Sequence, residues 1–222
     1  MSFGKNLQYL RQLSANMTQE SLAEKLRVSR QTISRWEMDA ANPEMEKALE
    51  LCKVFNCSLD NLFMEEMDKR SSIYTDLRVE EVSGFRYAEY TVISAEPEAD
   101  ALGRVFGYAK ENGIENPRVI GWDFPNLSLE QINVFKMHGY TAAWIIPEGI
   151  APEGLEIKEQ PSHRYAAIHI DRPFDNPFAT IPGAYQTLGD YMRTNGLVQV
   201  ENGVIPCFET AGDSMDVYIA CR

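Results

Sequence analysis

The sequence has few of the residues that build metal, redox or disulfide sites. It contains four cysteines and three histidines in 222 residues. The cysteines form no CxxC pair, which favours reduced, partly buried thiols over a zinc site or a disulfide framework. The histidines lack metal-ligand spacing, so we expect no metal site. The residues concerned are Cys52, Cys57, Cys207, Cys221, His138, His163 and His169.

Long apolar runs are also missing. No run reaches the length of a membrane span, and the start of the chain, MSFGKNLQYLRQL, lacks the apolar stretch of a signal peptide. We therefore expect a soluble, cytoplasmic protein without a membrane partner. No glycine-rich phosphate loop is present. The segment 212–215 lacks the second glycine and the following helix of a nucleophile elbow, which argues against an enzyme and against a cofactor.

Positive charge is scarce overall but concentrated near the amino terminus. The formal net charge is −12, which argues against a protein that coats nucleic acid without sequence preference. Between Lys25 and Arg35, however, there are four basic residues and no acidic one. A short basic stripe on an acidic protein fits a small, specific DNA contact, because the overall field weakens non-specific binding.

The segment 17–37, MTQESLAEKLRVSRQTISRWE, predicts two short helices joined by a tight turn. We expect the helices over 19–26 and 30–36. Thr18 and Ser29 precede them as N-caps, because each hydroxyl can accept a hydrogen bond from a backbone N–H of the first turn. One face of each helix is apolar, and these faces consist of Leu22, Ala23, Leu26, Ile33 and Trp36.

The remaining face of the second helix is polar and basic. Arginine and glutamine are the side chains that pair bidentately with guanine and adenine in the major groove. The alternative is a helical bundle whose arginines are only solvated. Helix caps, spacing and side-chain types agree within one window, which favours DNA binding. The face consists of Arg30, Gln31, Ser34 and Arg35.

Three further helices complete an all-α domain of five short helices. One is expected over 3–14, with leucines on one face, and one over 44–55, after Pro43 breaks the chain. A last short helix begins after Ser58 as N-cap. The helical spacing over 44–55 places Met45, Ala48, Leu49, Cys52 and Phe55 on one side.

Residues 3–64 resemble the λ-repressor/Cro-type DNA-binding domain of the XRE family. The matching residues are Thr18-Gln19-Glu20, Leu22-Ala23, Leu26, Val28-Ser29-Arg30, Thr32-Ile33-Ser34, Trp36-Glu37, Pro43 and Leu59. The resemblance implies that the DNA-binding residues are Gln19, Ser29, Arg30, Gln31, Thr32, Ser34 and Arg35.

The sequence departs from the XRE pattern at Arg27, where the turn often has glycine. A left-handed backbone at this position costs a non-glycine residue of the order of 1 kcal/mol. We therefore expect a turn that either differs slightly or tolerates this strain.

The second half of the chain contains an internal repeat. LRVEEVSGFRYAEYTVI, from Leu77, and LEIKEQPSHRYAAIHID, from Leu155, match at an offset of 78 residues. Each copy continues to a proline, a helix-like stretch, an Asn-Gly stop and two strands. We predict an α+β domain of two βαββ repeats over about 77–154 and 155–222. A duplicated unit normally leaves a cleft between its halves, which is a common ligand position.

Residues 77–222 resemble the gyrase-inhibitor-like effector-binding domain that also forms the sensor of some AraC- and MerR-type regulators. The sequence departs from that pattern at Ala211 and around 220–221. The matching segments are Arg164-Tyr165-Ala166, Gly189-Asp190-Tyr191, Pro206-Cys207-Phe208-Glu209, Met215-Asp216-Val217-Tyr218-Ile219, Gly121-Trp122-Asp123-Phe124-Pro125 and Ala143-Trp144-Ile145-Ile146-Pro147.

This second resemblance implies that Glu209 is the carboxylate of a ligand pocket. A carboxylate walled by aromatic rings favours a flat, partly apolar cation, although each ring has core packing as its alternative role. Trp144 and Tyr218 are expected at equivalent places in the two repeats. The candidate ligand-binding residues are Trp122, Trp144, Phe208, Glu209 and Tyr218.

These features together predict a multi-domain, ligand-responsive transcriptional regulator. We expect a DNA-binding domain over 1–66, a linker over 67–76 and an effector-binding domain over 77–222. The expected partners are a double-stranded DNA operator, bound as a homodimer, and a small-molecule effector. Two alternatives stay open for the second domain: a small-molecule hydrolase that uses Glu209 as general base or nucleophile, and a gyrase-inhibitor-like protein-binding module.

Overall fold

The computed structural model describes residues 3–14, 17–67 and 73–222; residues 68–72 of the predicted linker lie outside the described residues. The helices are α1 (Phe3–Leu13), α2 (Gln19–Leu26), α3 (Arg30–Glu37), α4 (Met45–Phe55), α5 (Leu59–Phe63), α6 (Pro97–Glu111), α7 (Leu129–Asn133) and α8 (Pro177–Thr194), with a 3-10 turn at Pro173–Asp175. The strands are β1 (Tyr74–Val82), β2 (Phe85–Ser94), β3 (Arg118–Asp123), β4 (His138–Ile146), β5 (Lys158–Gln160), β6 (His163–Ile170), β7 (Cys207–Thr210) and β8 (Met215–Ala220).

The predicted fold class is confirmed, because five helices precede an α+β region with one antiparallel sheet. The chain forms two compact units. The helical unit comprises residues 1–77, 174–199 and 221–222, and the sheet unit comprises 78–173 and 200–220. No helix within the described residues has both the length and the apolar character that a membrane crossing requires.

The helical unit is organised around one buried core. The apolar faces predicted for α2 and α3 lie in it, since Leu22 and Ile33 are fully buried and Trp36 is 5% exposed. Both predicted N-caps are present: the Thr18 hydroxyl accepts from the Ser21 N–H, and the Ser29 hydroxyl accepts from the Thr32 N–H. The core also contains Phe3, Leu7, Tyr9, Leu10, Leu13, Ala23, Leu26, Leu51, Phe55, Leu62 and Met67.

Asn6 joins the first and last helices of the five. Its side chain is 1% exposed, and its amide nitrogen donates to the carbonyl oxygens of Asn61, Leu62 and Glu65. Its amide oxygen accepts from the Met67 N–H at 3.0 Å. The orphan carbonyls at the end of α5 therefore find their partner inside the domain.

The prediction of which residues form the apolar face of α4 is partly wrong. Ala48 and Phe55 are buried, but Met45 and Leu49 are 66% and 46% exposed, and Leu51 is buried instead. The buried stripe is therefore rotated by part of a turn, since a methionine and a leucine at the edge of a helix face fit the spacing equally well.

The sheet reveals the internal repeat directly. Its strand order is β1-β6-β8-β7-β3-β4-β2-β5, which reads the same from either end when each strand is exchanged for its counterpart in the other repeat. The first strand of each repeat pairs outside its own copy: β1 lies beside β6, and β5 lies beside β2.

Each repeat has one strand more than expected and is ββαββ. The stretch predicted as one strand after Leu77 forms two strands, β1 and β2, which separate at Ser83-Gly84 and lie near opposite ends of the sheet without pairing with each other. A Cβ atom on Gly84 would lie 2.9 Å from the Gln160 carbonyl oxygen. A close approach of the backbone therefore requires glycine at this position.

The sheet has two different faces. Helix α6 covers one of them, where Ala101, Val105 and Ala109 pack against strand residues that include Val119 and Trp144; we call this the helix face. The other, which we call the aromatic face, is defined by Phe85, Tyr87, Trp122, Tyr165, Phe208 and Tyr218.

The turn of the helix-turn-helix tolerates the strain expected at Arg27. This residue is left-handed, with φ 54° and ψ 45°, and its N–H donates to the Ala23 and Glu24 carbonyl oxygens. Arg27 therefore adopts the left-handed conformation that glycine usually has at this position of the turn.

Replacing Arg27 with glycine is expected to raise the free energy of unfolding. Relief of the left-handed strain is worth about 1 kcal/mol, of which the freedom of glycine in the unfolded chain removes part. Urea denaturation followed by circular dichroism measures the gain. Lys25→Gly, inside α2, is the matched control and should lose about 1 kcal/mol. A loss in Arg27→Gly would contradict the strain.

Candidate nucleic-acid interface and aromatic face

Helix α3 presents the side chains expected to contact DNA. Arg30, Gln31 and Arg35 are exposed, while Ile33 and Trp36 on the opposite side are buried. The helix is fixed from inside by these two apolar residues, so the exposed side chains share a rigid base. Such a surface can place donors against base edges and phosphates.

Two of the smaller predicted DNA-binding residues, Ser29 and Thr32, have structural partners. The Ser29 hydroxyl accepts from the Thr32 N–H at 3.1 Å and lies 2.9 Å from the Thr32 hydroxyl. Ser34 is half-buried. Ser29 and Thr32 therefore orient the start of α3.

Gln19 is tied to a buried ion pair. Glu37 accepts from Arg11 through both carboxylate oxygens, at 2.6 and 3.1 Å, and the Gln19 amide nitrogen donates to the same carboxylate at 2.9 Å. The Arg11 and Glu37 side chains are 13% and 6% exposed. This group links α1, α2 and α3, and sequence spacing gave no signal of Arg11's part in it.

The rings of the aromatic face form two groups, and within each group the rings contact one another. Phe208 and Tyr218 stack with ring centroids 4.6 Å apart, and Tyr165 meets Phe208 edge-on at 5.2 Å. Farther along the sheet, Tyr87 meets Trp122 edge-on at 6.4 Å. Trp122 and Tyr218 are only half-buried, so this face offers π surface to a solute.

Charged pairs lie at two places on the aromatic face. Lys158 contacts Glu89 at 2.6 Å, and these side chains are 40% and 22% exposed. Arg78 contacts Glu80 at 2.8 Å and Asp216 at 3.2 Å. The second cluster extends further, since Arg78 donates to the Tyr218 hydroxyl at 3.1 Å and His169 Nδ1 lies 2.6 Å from Asp216.

The phenols of this face stay protonated near neutral pH. Burial raises the pKa of Tyr165, and its hydroxyl donates to the Ile205 carbonyl oxygen at 2.8 Å. Burial also raises the pKa of Tyr218, with the nearby carboxylates of Asp216 and Glu80 acting in the same direction. Both hydroxyls therefore act as hydrogen-bond donors within the sheet unit, Tyr165 to Ile205 and Tyr218 to Asp216.

Glu209 lies on the helix face of the sheet. It is 8% exposed and pairs with Gly121 on β3 and Val217 on β8. A Cβ atom on Gly121 would lie 2.0 Å from the Tyr140 hydroxyl, so this glycine makes room for the Tyr140 ring. The Tyr140 hydroxyl then donates to Glu209 Oε2 at 3.4 Å, and burial followed by the Glu209 charge raises the Tyr140 pKa.

The five predicted ligand-binding residues divide between the two faces. Trp122, Phe208 and Tyr218 belong to the aromatic face, whereas Glu209 lies across the sheet and Trp144 is fully buried against α6. Phe208 and Glu209 are consecutive in β7, and consecutive strand residues point to opposite faces. The structure therefore does not bring the five together.

The expected equivalence of Trp144 and Tyr218 is wrong. In the first repeat Tyr87 pairs with Ile145, and in the second its counterpart Tyr165 pairs with Ala220. By this register Tyr218 corresponds to Ala143, one residue before Trp144. A shift of one residue moves a side chain to the other face.

Sequence reasoning missed Tyr87, Tyr165 and Glu89 as members of the aromatic face. The recurring Arg-Tyr-Ala of the two repeats pointed to both tyrosines, and alternation from Tyr87 places Glu89 on the same face. Among residues 3–14, 17–67 and 73–222, no group of three or more potential metal ligands comes together.

The comparisons with known proteins agree on the amino-terminal region. A helix-turn-helix family model matches residues 7–62. An uncharacterized HTH-type transcriptional regulator of Methanocaldococcus jannaschii, MJ0272, is 41% identical over 63 residues, which are 28% of this chain and 94% of that protein. The chain belongs to the XRE-type helix-turn-helix family.

A second relative of this helix-turn-helix protein shares only the same region. The HTH-type transcriptional activator BcrR of Enterococcus faecalis is 44% identical over 66 residues, which are 30% of this chain and 32% of BcrR. The chain therefore matches about a third of that relative's length.

Similarity to solved structures extends over more of the chain but is remote. The EcmrR–DNA complex has a TM-score of 0.49 at 12% identity and covers 93% of this chain and 85% of that one. The EcmrR C-terminal domain has a TM-score of 0.46 at 9% identity and covers 68% and 98%.

Gly121→Ala is expected to destabilise the sheet unit of this helix-turn-helix protein. The added methyl group displaces the Tyr140 ring from Glu209, and such overpacking costs about 1–3 kcal/mol. Differential scanning calorimetry measures the loss. Gly103→Ala, on α6, is the matched control, because its Cβ meets nothing within 4 Å and alanine favours the helix by about 0.5–1 kcal/mol. Equal shifts in both variants would contradict the packing role of Gly121.

Proposed function

We propose that the protein is a DNA-binding transcriptional regulator whose sheet unit senses a small molecule. The observation that supports the DNA-binding part is α3, which exposes Arg30, Gln31 and Arg35 on a base of buried Ile33 and Trp36. Arginine and glutamine on a rigid helix supply the donors that read guanine and adenine.

A homodimer is the proposed binding form. Two copies of α3 then occupy half-sites about 34 Å apart, one turn of the duplex. The net charge of −12 opposes non-specific binding to phosphates, so affinity depends on the few side chains of α3. Regulation of transcription as the role of the whole chain is part of this proposal.

The proposed effector site is the aromatic face. Trp122 and Tyr218 offer half-buried rings, and Glu89 supplies a carboxylate 22% exposed beside Lys158. A cation that carries aromatic rings would gain from ring contact and from the carboxylate. Glu209 and Trp144 then support the sheet from its helix face, and the effector-binding fold over 77–222 remains the framework of the proposal.

The double variant Arg30→Ala/Arg35→Ala is expected to lose specific DNA binding. Each base contact is worth about 1–3 kcal/mol, so affinity should fall at least about 30-fold. The measurement is fluorescence anisotropy with a duplex that the wild-type protein selects from a random library. Arg118→Ala/Arg164→Ala removes two exposed strand arginines as the charge-matched control. Equal loss in both variants would reject α3 as the recognition helix.

Glu89→Gln and Glu209→Gln form a matched pair that tests the effector site. The probes are tetraphenylphosphonium, an aromatic cation, and triphenylphosphine oxide, which is neutral. We expect Glu89→Gln to weaken the cation about fivefold and the neutral probe little, because a partly exposed charge pair is worth about 1 kcal/mol. Isothermal titration calorimetry measures both. If instead Glu209→Gln weakens the cation and not the neutral probe, the effector site lies on the helix face. If the wild-type protein does not bind the cation, a cation site is rejected.

A further inference from the structure

Helix α8 belongs to the second repeat by sequence and to the helical unit by its contacts. By sequence it is the helix of the second repeat, since β6 precedes it and β7 follows it. In space it belongs to the helical unit, which contains residues 174–199. Tyr191 of α8 packs against the buried core formed by the five amino-terminal helices.

Two asparagines fix α8 to this core by reciprocal capping. Asn195, the C-cap of α8, donates its amide nitrogen to the Leu13 carbonyl oxygen at 3.1 Å. Asn56, the C-cap of α4, donates its amide nitrogen to the Arg193 carbonyl oxygen at 2.9 Å. The last carbonyls of a helix have no partner within it, so each asparagine satisfies a group that the helices would leave open.

The Leu13 carbonyl is a sensitive place for such a contact. Leu13 is the last residue of α1, and a few residues later the chain reaches Thr18, the N-cap of α2. Helix α2 in turn precedes α3 across the Arg27 turn. A contact that holds the end of α1 therefore lies directly upstream of the two helices of the DNA-binding motif.

The capped contact is incompletely satisfied. The Arg193 Nε and Thr194 Oγ1 atoms are buried and find no hydrogen-bond partner within the part of the chain that the structure describes. Buried polar atoms without partners are rare in native proteins and favour competing arrangements in which they are paired. Specific hydrogen bonds thus hold the end of α8 in place, while the two buried polar atoms without partners reduce the stability of this arrangement.

We propose that α8 is the coupling element of the protein. Its capped end holds α1 and the helix-turn-helix in one arrangement, and its flanking chain continues into β6 and β7, which contain Tyr165 and Phe208 of the aromatic face. Withdrawal of α8 breaks both asparagine caps and releases the end of α1. The regulatory meaning of this inference rests on the proposed function; the docking contact itself does not.

The first arm of the test needs neither effector nor operator. Asn56→Asp/Asn195→Asp replaces both amide donors with carboxylates that face carbonyl oxygens. Hydrogen exchange of the full chain, measured by mass spectrometry, should be about tenfold faster in peptides covering 7–14 and 188–195, and unchanged in β2 and β4. Unchanged exchange at 7–14, or equal acceleration everywhere, overturns the proposal.

The first repeat provides the matched control. Asn112 is the C-cap of α6 and, like Asn195, donates to its own helix, here the Tyr108 carbonyl oxygen at 2.9 Å. Asn112→Asp should leave exchange at 7–14 unchanged. If the double variant does not fold, Asn195→Ala alone takes its place with the same expected result, because it removes the bond to Leu13.

The second arm measures coupling. The affinity for the selected duplex is measured with and without saturating tetraphenylphosphonium. When two sites are coupled, the ratio of these two affinities is typically about 5–150. The ratio should fall to one in Asn56→Asp/Asn195→Asp while the affinity for tetraphenylphosphonium is retained. If the ratio of DNA affinities with and without tetraphenylphosphonium is as large in the variant as in the wild type, the role of α8 is overturned. A wild-type ratio of one overturns the effector response of the proposed function, whereas the exchange arm still decides whether α8 holds α1.

Discussion

The exchange of first strands between the two repeats is the constraint on which the sheet depends. Because β1 pairs with β6 and β5 pairs with β2, neither repeat completes its own set of strands. The result is one continuous sheet in which every residue is assigned to one of two faces. Position along a strand, and not chemical type, then decides whether an aromatic or acidic residue meets α6 or the aromatic face.

The helical unit was the more predictable part, because its signals are local. Caps at Thr18 and Ser29, the apolar spacing of α2 and α3, and the left-handed turn at Arg27 all depend on residues within four positions of one another. The burial of Arg11 with Glu37 was not predictable, since it joins residues far apart in sequence whose types are typical of a surface.

The sheet unit shows where sequence reasoning ends. The repeat and its helices were visible as matching segments, but strand partners and register are set by distant pairings. Grouping Glu209 with Phe208 ignored the alternation of adjacent residues, which the sequence alone would have revealed. Whether Trp144 and Tyr218 are equivalent can be decided only from the strand register, which places Tyr87 opposite Ile145 and Tyr165 opposite Ala220.

The exchanged strands also impose an order on folding. Tyr87 on β2 pairs with Lys158 on β5, so this edge of the sheet cannot close until the second repeat has been synthesised. Contacts of such long separation form slowly, whereas the five amino-terminal helices have short-range contacts and leave the ribosome first. A nascent chain would therefore possess its helix-turn-helix before α8 can dock on it. The bonds from Asn195 to Leu13 and from Asn56 to Arg193 are therefore among the last contacts of the helical unit to form.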